Sequence, residues 1–144
     1  MSLLGVVFTL HMIGLVIWLG AAFLLPIAVI PAVRSLAAAE QNKFMDKFTR
    51  RFIPWFVIGG ITVGLTGWAQ TTMMVDDLNI PVMIAKHVAI LPLIAVSAYI
   101  WFYLATKLSK PGADQKLWTQ FVVWGWIQAG LGVIVLILTG WLTG

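Results

Sequence analysis

The chain has 144 residues, of which 61% are hydrophobic and only 10% charged, and its mean hydropathy is +1.00. A soluble domain carries about 25% charged residues, so this chain has more apolar surface than a core of its size can bury, and lipid must cover the rest. The formal charge of +4 does not indicate nucleic-acid binding, because the basic residues lie in short loops between apolar runs, where the membrane surface accounts for them.

Four apolar runs are each long enough to cross a bilayer, which takes roughly 20 residues of α-helix. They cover residues 3–33, 52–72, 80–104 and 117–142. The loops after the second and third runs are short, which favours an antiparallel up-and-down arrangement. The sequence therefore predicts an all-α integral membrane four-helix bundle, with residues 1–144 forming one transmembrane domain.

The basic residues are divided unequally between the predicted loops. The first loop carries Arg34, Lys43, Lys47, Arg50 and Arg51, the third carries Lys107, Lys110 and Lys116, and the second carries Asp76 and Asp77 with no basic residue. Because lysine and arginine concentrate in cytoplasmic loops, we expect both termini on the outer, periplasmic side of a cell inner membrane. Phenylalanines between its basic residues predict that the first loop is amphipathic and lies along the cytoplasmic surface.

The second span is rich in glycine, and Gly60 and Gly64 stand one helical turn apart. Small residues at this spacing let two helix backbones approach closely. We therefore expect these glycines to serve helix packing rather than ligand contact.

Ionisable side chains inside apolar spans are energetically costly and usually functional. His11 in the first span and Lys86 and His87 in the third are the three that this chain contains. Both histidines lie seven to eight residues from the start of their spans, which at ~1.5 Å per residue places them roughly 10–12 Å below the same end of the bundle. Two level imidazoles on separate helices predict a metal site in which His11 and His87 are the axial ligands of one haem b. The alternative is a pair of histidines that hydrogen-bond across helices without a cofactor.

Two neighbours of His11 share its helical face in the first span. Gly14 leaves room for a flat ring one turn away, and the Trp18 indole can pack against that ring. Lys86 is adjacent to His87, so the two side chains point about 100° apart on a helix. Lys86 either extends towards Asp76 and Asp77, pairs with a haem propionate, or is itself the iron ligand.

Methionines gather near the same end of the predicted bundle. They are Met12, Met73, Met74 and Met83. Thioethers suit Cu(I), so copper is the alternative cofactor, although methionine also serves as flexible apolar filler. The chain has no cysteine, which excludes thiolate metal sites and disulfides.

The first span contains the pattern Leu10-His11-x-x-Gly14-x-x-x-Trp18-x-Gly20, and the third contains Met83-Ile84-Ala85-Lys86 before an apolar run. These segments resemble the first and third helices of the HemJ-type protoporphyrinogen oxidases, and the first also resembles the CopD-like copper-resistance domains. The HemJ resemblance implies haem b, with His11 and Lys86 as the functional pair in porphyrinogen oxidation. The CopD resemblance implies copper handling in the inner membrane. His87 is added to the HemJ pattern, and an added histidine at this depth favours a bis-histidine electron carrier.

We therefore expect a haem b protein of electron transfer in the bilayer, either as a small subunit beside other membrane redox subunits or as a homo-oligomer. A CopD-like copper protein and a HemJ-like oxidase are the alternatives. We expect no nucleic-acid partner.

Overall fold

The computed structural model describes residues 2–74 and 79–143, which form four long helices. These are α1 (Leu3–Arg34), α2 (Ala38–Met73), α3 (Ile80–Leu108) and α4 (Gln115–Thr143). Each is long and apolar enough to cross a membrane. The chain is thus a multi-pass, all-α membrane protein, and the predicted four-helix bundle is confirmed.

Local sequence signals explain where the helices begin and how they are joined. The Ser2 side chain accepts a hydrogen bond from the backbone N–H of Gly5, and Asn79 does the same for Val82, so both residues cap helix N-termini. The connections 35–37 and 109–114 are short. The second contains Gly112 with φ of +85°, a left-handed conformation that glycine adopts without a steric penalty.

The two short connections lie at one end of the bundle, which we call the basic end, and the starts of α1 and α3 lie at the opposite end, which we call the termini end. α1 packs along α2, and α3 packs along α4. By contrast, α2 meets α3 chiefly near the basic end, through the last turn of α3, Ala105–Leu108. The α2–α3 side of the bundle is therefore closed at the basic end only.

A cluster of aromatic side chains holds the basic half together. Trp101 of α3 is fully buried, and its ring centroid lies 6.0, 4.6 and 5.6 Å from those of Phe48, Phe52 and Phe56 of α2. Tilted aromatic contacts at these distances add about 0.5–1.5 kcal/mol each beyond the area that they bury. The cluster therefore packs α3 against α2 in the basic half, whereas the termini half is more open.

The prediction that residues 34–51 form a loop was wrong for residues 38–51. Residues 38–51 are instead the first turns of α2, because no proline or glycine interrupts them and their apolar face, with Met45 and Phe48, packs into the bundle. At 36 residues α2 is about 54 Å long, well beyond the ~30 Å hydrocarbon core of a bilayer, so its basic first turns extend outside that core.

The other predicted bounds differ less. α1 ends at Arg34 rather than Val33, α3 continues to Leu108 rather than residue 104, and α4 covers Gln115–Thr143 rather than 117–142. The predicted acidic loop with Asp76 and Asp77 lies outside the described residues.

Candidate functional site

A cavity of about 550 Å³ occupies the termini half of the bundle, where α2 and α3 stand apart. All four helices contribute to its wall, and most of the lining side chains are apolar. Its volume lies within the ~300–1,000 Å³ of pockets that hold small molecules and cofactors. Three of its lining residues are His11, Lys86 and His87, so the ionisable side chains that the sequence singled out are brought to one site.

His11 lies in the wall formed by α1 and is only 6% exposed. Its Nδ1 is 2.9 Å from the Thr66 hydroxyl oxygen of α2, and that hydroxyl donates its hydrogen to the Thr62 carbonyl at 2.5 Å. Because the Thr66 hydrogen is committed to the carbonyl, the Thr66 oxygen accepts from an Nδ1–H on His11. The remaining ring nitrogen, Nε2, then carries a lone pair, which is the state of a metal-ligating imidazole.

His87 has the same arrangement on α3. Its Nδ1 lies 2.8 Å from the Met83 carbonyl oxygen one turn earlier. A carbonyl can only accept, so Nδ1 donates and Nε2 is again left with its lone pair. Histidines that bind metals usually donate their second N–H to such an acceptor, which fixes the tautomer and the ring. His87 is more exposed than His11 and lies at the edge of the cavity, next to a smaller groove lined by Met83.

Lys86 is half-buried in the cavity wall beside His87. Lys86 and His11 line the same cavity from different helices. Across residues 2–74 and 79–143 no hydrogen bond or ion pair reaches the Lys86 ammonium. The predicted pairing with Asp76 and Asp77 lies outside the described residues.

Trp18 lies deeper in the cavity, towards the basic end. It is 6% exposed, its ring centroid is 6.3 Å from that of Phe56, and both side chains line the cavity. Trp18 therefore stands where the sequence places it, on the His11 face and against the space that a ligand would fill. It does not face lipid.

Gly14 lies outside the cavity wall, in the contact between α1 and α2. A Cβ at Gly14 would come within 2.9 Å of Val63 Cγ2 and 3.1 Å of the Gly59 carbonyl oxygen. A Cβ at Gly59 would in turn meet Ile17 at 2.8 Å. The close helix approach thus uses Gly14 and Gly59, and Gly14 makes no room for a flat ring because it faces α2.

One wall of the cavity is formed by glycines of α2, some of which were predicted to serve helix packing. Gly60, Gly64 and Gly67 line it, and a Cβ at Gly64 would meet nothing within 4 Å. The expected packing role therefore fails for Gly64, whereas a Cβ at Gly60 would meet the Trp18 ring of α1 at 3.6 Å. Thr71 continues the same stripe, and the spacing 60, 64, 67, 71 is the signal in the sequence that marks one helix face of small residues.

A buried polar pair joins α4 to α3 at the cavity. Gln128 Nε2 donates to the Ser97 hydroxyl oxygen at 2.8 Å, and Ser97 lines the cavity. Gln128 thus bridges α4 and α3.

The methionines do not share the histidine cavity. Met12 and Met73 are each 45% exposed, and Met83 lines the smaller groove beside His87. Within the described part of the chain, no group of three or more histidine and acidic side chains is placed to hold a metal ion.

Comparison of the chain with protein-family models, curated proteins and solved structures found no match. The resemblance to HemJ-type and CopD-like proteins stays a prediction from the sequence.

Proposed function

We propose that this protein binds haem b in the cavity between its four helices and acts in electron transfer within the membrane. The observation that carries the proposal is that His11 and His87, on different helices, line one cavity and both have an Nε2 lone pair without a hydrogen bond in the described structure. His11 and His87 would hold the haem iron through these two nitrogens, since imidazole is a common protein ligand of haem iron.

The residues present fit such a group. Gly64 of α2 leaves open space in the wall for a planar macrocycle, and Trp18 and Phe56 offer aromatic surface towards the basic end. Thr66 and the Met83 carbonyl fix the two imidazoles. Bound haem would supply one-electron chemistry, while the chain orients the ring and excludes water from its faces.

The partners that we propose are the bilayer and either other membrane redox subunits or a second copy of the chain. The support is the lateral opening of the cavity between α2 and α3. Its lining includes Ile61 and Ile94, which are 57% and 49% exposed on the outside of the bundle. A ligand edge at this opening faces the lipid layer, where a membrane partner can approach it.

We further propose an inner-membrane location with the basic end in the cytoplasm and both termini outside. The division of lysine and arginine between the loops supports this orientation. It would place His11 and His87 in the outer half of the membrane.

A HemJ-like oxidase is the second candidate, and one observation favours it. Lys86 is more buried than His87 and lines the same cavity as His11, as the His11–Lys86 pair of that resemblance implies. Copper handling has less support, because Met12 and Met73 face outwards.

The test is the absorption spectrum of the purified chain and three variants. We expect the dithionite-reduced protein to show the α and β bands of a six-coordinate, low-spin haem b. His11→Ala and His87→Ala should each abolish these bands or convert them to a high-spin spectrum, because one axial ligand is lost. Lys86→Ala should keep the low-spin spectrum.

The variants also separate the candidates. Loss of the low-spin bands in Lys86→Ala, with His87→Ala unaffected, would make His11 and Lys86 the ligand pair and favour the oxidase. Bound copper without haem bands would contradict both and favour copper handling.

A further inference from the structure

The cavity contains one cation, Lys86, which has no hydrogen-bond or ion-pair partner among the described residues. Of the described residues that line it, Lys86 alone carries a full positive charge. The surrounding wall is mostly apolar, with residues such as Ile90 and Val135. A half-buried ammonium in such surroundings is costly unless an anion or several hydrogen-bond acceptors meet it.

The geometry of α3 separates Lys86 from the position of His87. Adjacent residues on a helix point about 100° apart, so the two side chains address different parts of the cavity. A lysine side chain is long and flexible, so its ammonium can reach beyond the point that its neighbour on the helix addresses. If His87 holds the centre of a planar ligand, Lys86 can therefore reach its edge.

Among the described residues that line the cavity, no other side chain carries a full positive charge that could bind an anionic group. Thr71 of α2 lines the cavity, but its hydroxyl hydrogen is donated to the Gly67 carbonyl oxygen at 2.9 Å. Its oxygen is then an acceptor, which cannot bind a carboxylate. Recognition of an anionic group at this edge falls to Lys86.

We propose that Lys86 binds a carboxylate of the ligand, so that the cavity selects planar tetrapyrroles with free carboxylates over neutral ones. This inference rests on the proposed function and adds the chemical class that the site accepts. A charge-assisted hydrogen bond between ammonium and carboxylate is about twice as strong as a neutral one.

The experiment compares two ligands in wild type, Lys86→Met and Lys86→Arg. The ligands are haem b and its dimethyl ester, in which both carboxylates are neutralised, and affinity is read from Soret titrations in one detergent. We expect wild type to prefer haem over the ester by about ten- to a hundredfold more than Lys86→Met does. Comparison of ratios between proteins cancels the different partitioning of the two ligands into detergent. Lys86→Arg should retain the preference, and the haem-bound Lys86→Met protein should remain low-spin.

A second pair of ligands, iron-free protoporphyrin and its dimethyl ester, repeats the comparison by quenching of tryptophan fluorescence. Neither can use an axial ligand, so the same change of preference in Lys86→Met supports a carboxylate contact alone.

Three outcomes would overturn the assignment of Lys86. They are an equal ligand ratio in wild type and Lys86→Met, a loss of preference in Lys86→Arg as large as in Lys86→Met, and a change of spin state in Lys86→Met. Each leaves haem binding by the wild type in place. Failure of wild type to bind any of the four ligands would instead overturn the proposed function together with this inference.

Discussion

The hydrogen bonds of His11 and His87 determine what each imidazole can bind. Thr66 and the Met83 carbonyl both take the Nδ1 hydrogen, so both rings keep Nε2 as the nucleophilic nitrogen. A ring held in this way loses little freedom when it binds a metal, and its acceptor raises its basicity. The two rings lie on different helices and line one cavity, and we propose them as ligands.

Trp18 is the single side chain that we expect to exclude water from the cavity at its basic end. Its ring, packed against Phe56, closes the cavity towards the basic end. We expect Trp18→Ala to retain haem but to shift its midpoint potential negative, because a more polar site stabilises the more charged oxidised iron. Potentiometric titration of wild type and variant side by side measures the shift.

Trp126→Ala is the matched control, since Trp126 is an exposed tryptophan of α4 outside the cavity lining. An unchanged potential in Trp18→Ala, or an equal shift in the control, would remove Trp18 from the site.

The sequence singled out His11, Lys86 and His87 because ionisable groups in a membrane span are expensive, and Trp18 because it follows His11 by two helical turns; all four line the cavity. It misplaced Gly14, which differs from His11 by less than one turn. Whether such a residue faces a ligand or the next helix depends on the rotation of α1 about its axis, and that rotation is set by contacts with Val63 and Gly59. Local spacing does not contain this information.

Helix α2 has two glycine faces with different roles. Gly59 meets α1 closely, whereas Gly64, five residues later, opens onto the cavity. Glycines at both positions look alike in the sequence, which is why the packing role was predicted for Gly64 and missed for Gly59. The face is decided by which side of α2 lies against α1.

This difference gives a test at the level of the helix. Gly64→Leu should fold normally, because its Cβ meets open space and leucine favours helix more than glycine does. Its side chain fills the cavity, and a ligand forced against it loses about 1–3 kcal/mol, or roughly tenfold or more in affinity. Haem titration of the purified variant measures the loss.

Gly20→Leu is the control, since a Cβ at Gly20 also meets nothing within 4 Å and Gly20 is outside the cavity lining. Equal haem affinity in the two variants would show that the glycine stripe does not face the ligand.

The whole molecule is a bundle that is closed at its basic end and open between α2 and α3 at its termini end. Aromatic packing around Trp101 closes the basic end. At the termini end α2 packs on α1 and α3 packs on α4, so α2 and α3 separate and leave the opening. The four spans followed from hydropathy alone. The cavity did not, because it depends on long-range contacts that no single span encodes.

Orientation is a property of the whole chain and has its own test. With the basic end in the cytoplasm, a periplasm-specific reporter fused after Gly144 should be active and a cytoplasm-specific reporter at the same point inactive. A fusion in the connection 109–114 should show the reverse. The opposite pattern would place the histidines in the inner half of the membrane.

The most direct measurement of the central claim is the haem content of the full chain purified from haem-replete cells, determined as the pyridine haemochrome and divided by protein. We expect about one haem b per chain in wild type and a large loss in His11→Ala. A wild-type protein that is folded, remains without haem, and takes up none when haem is added would contradict it.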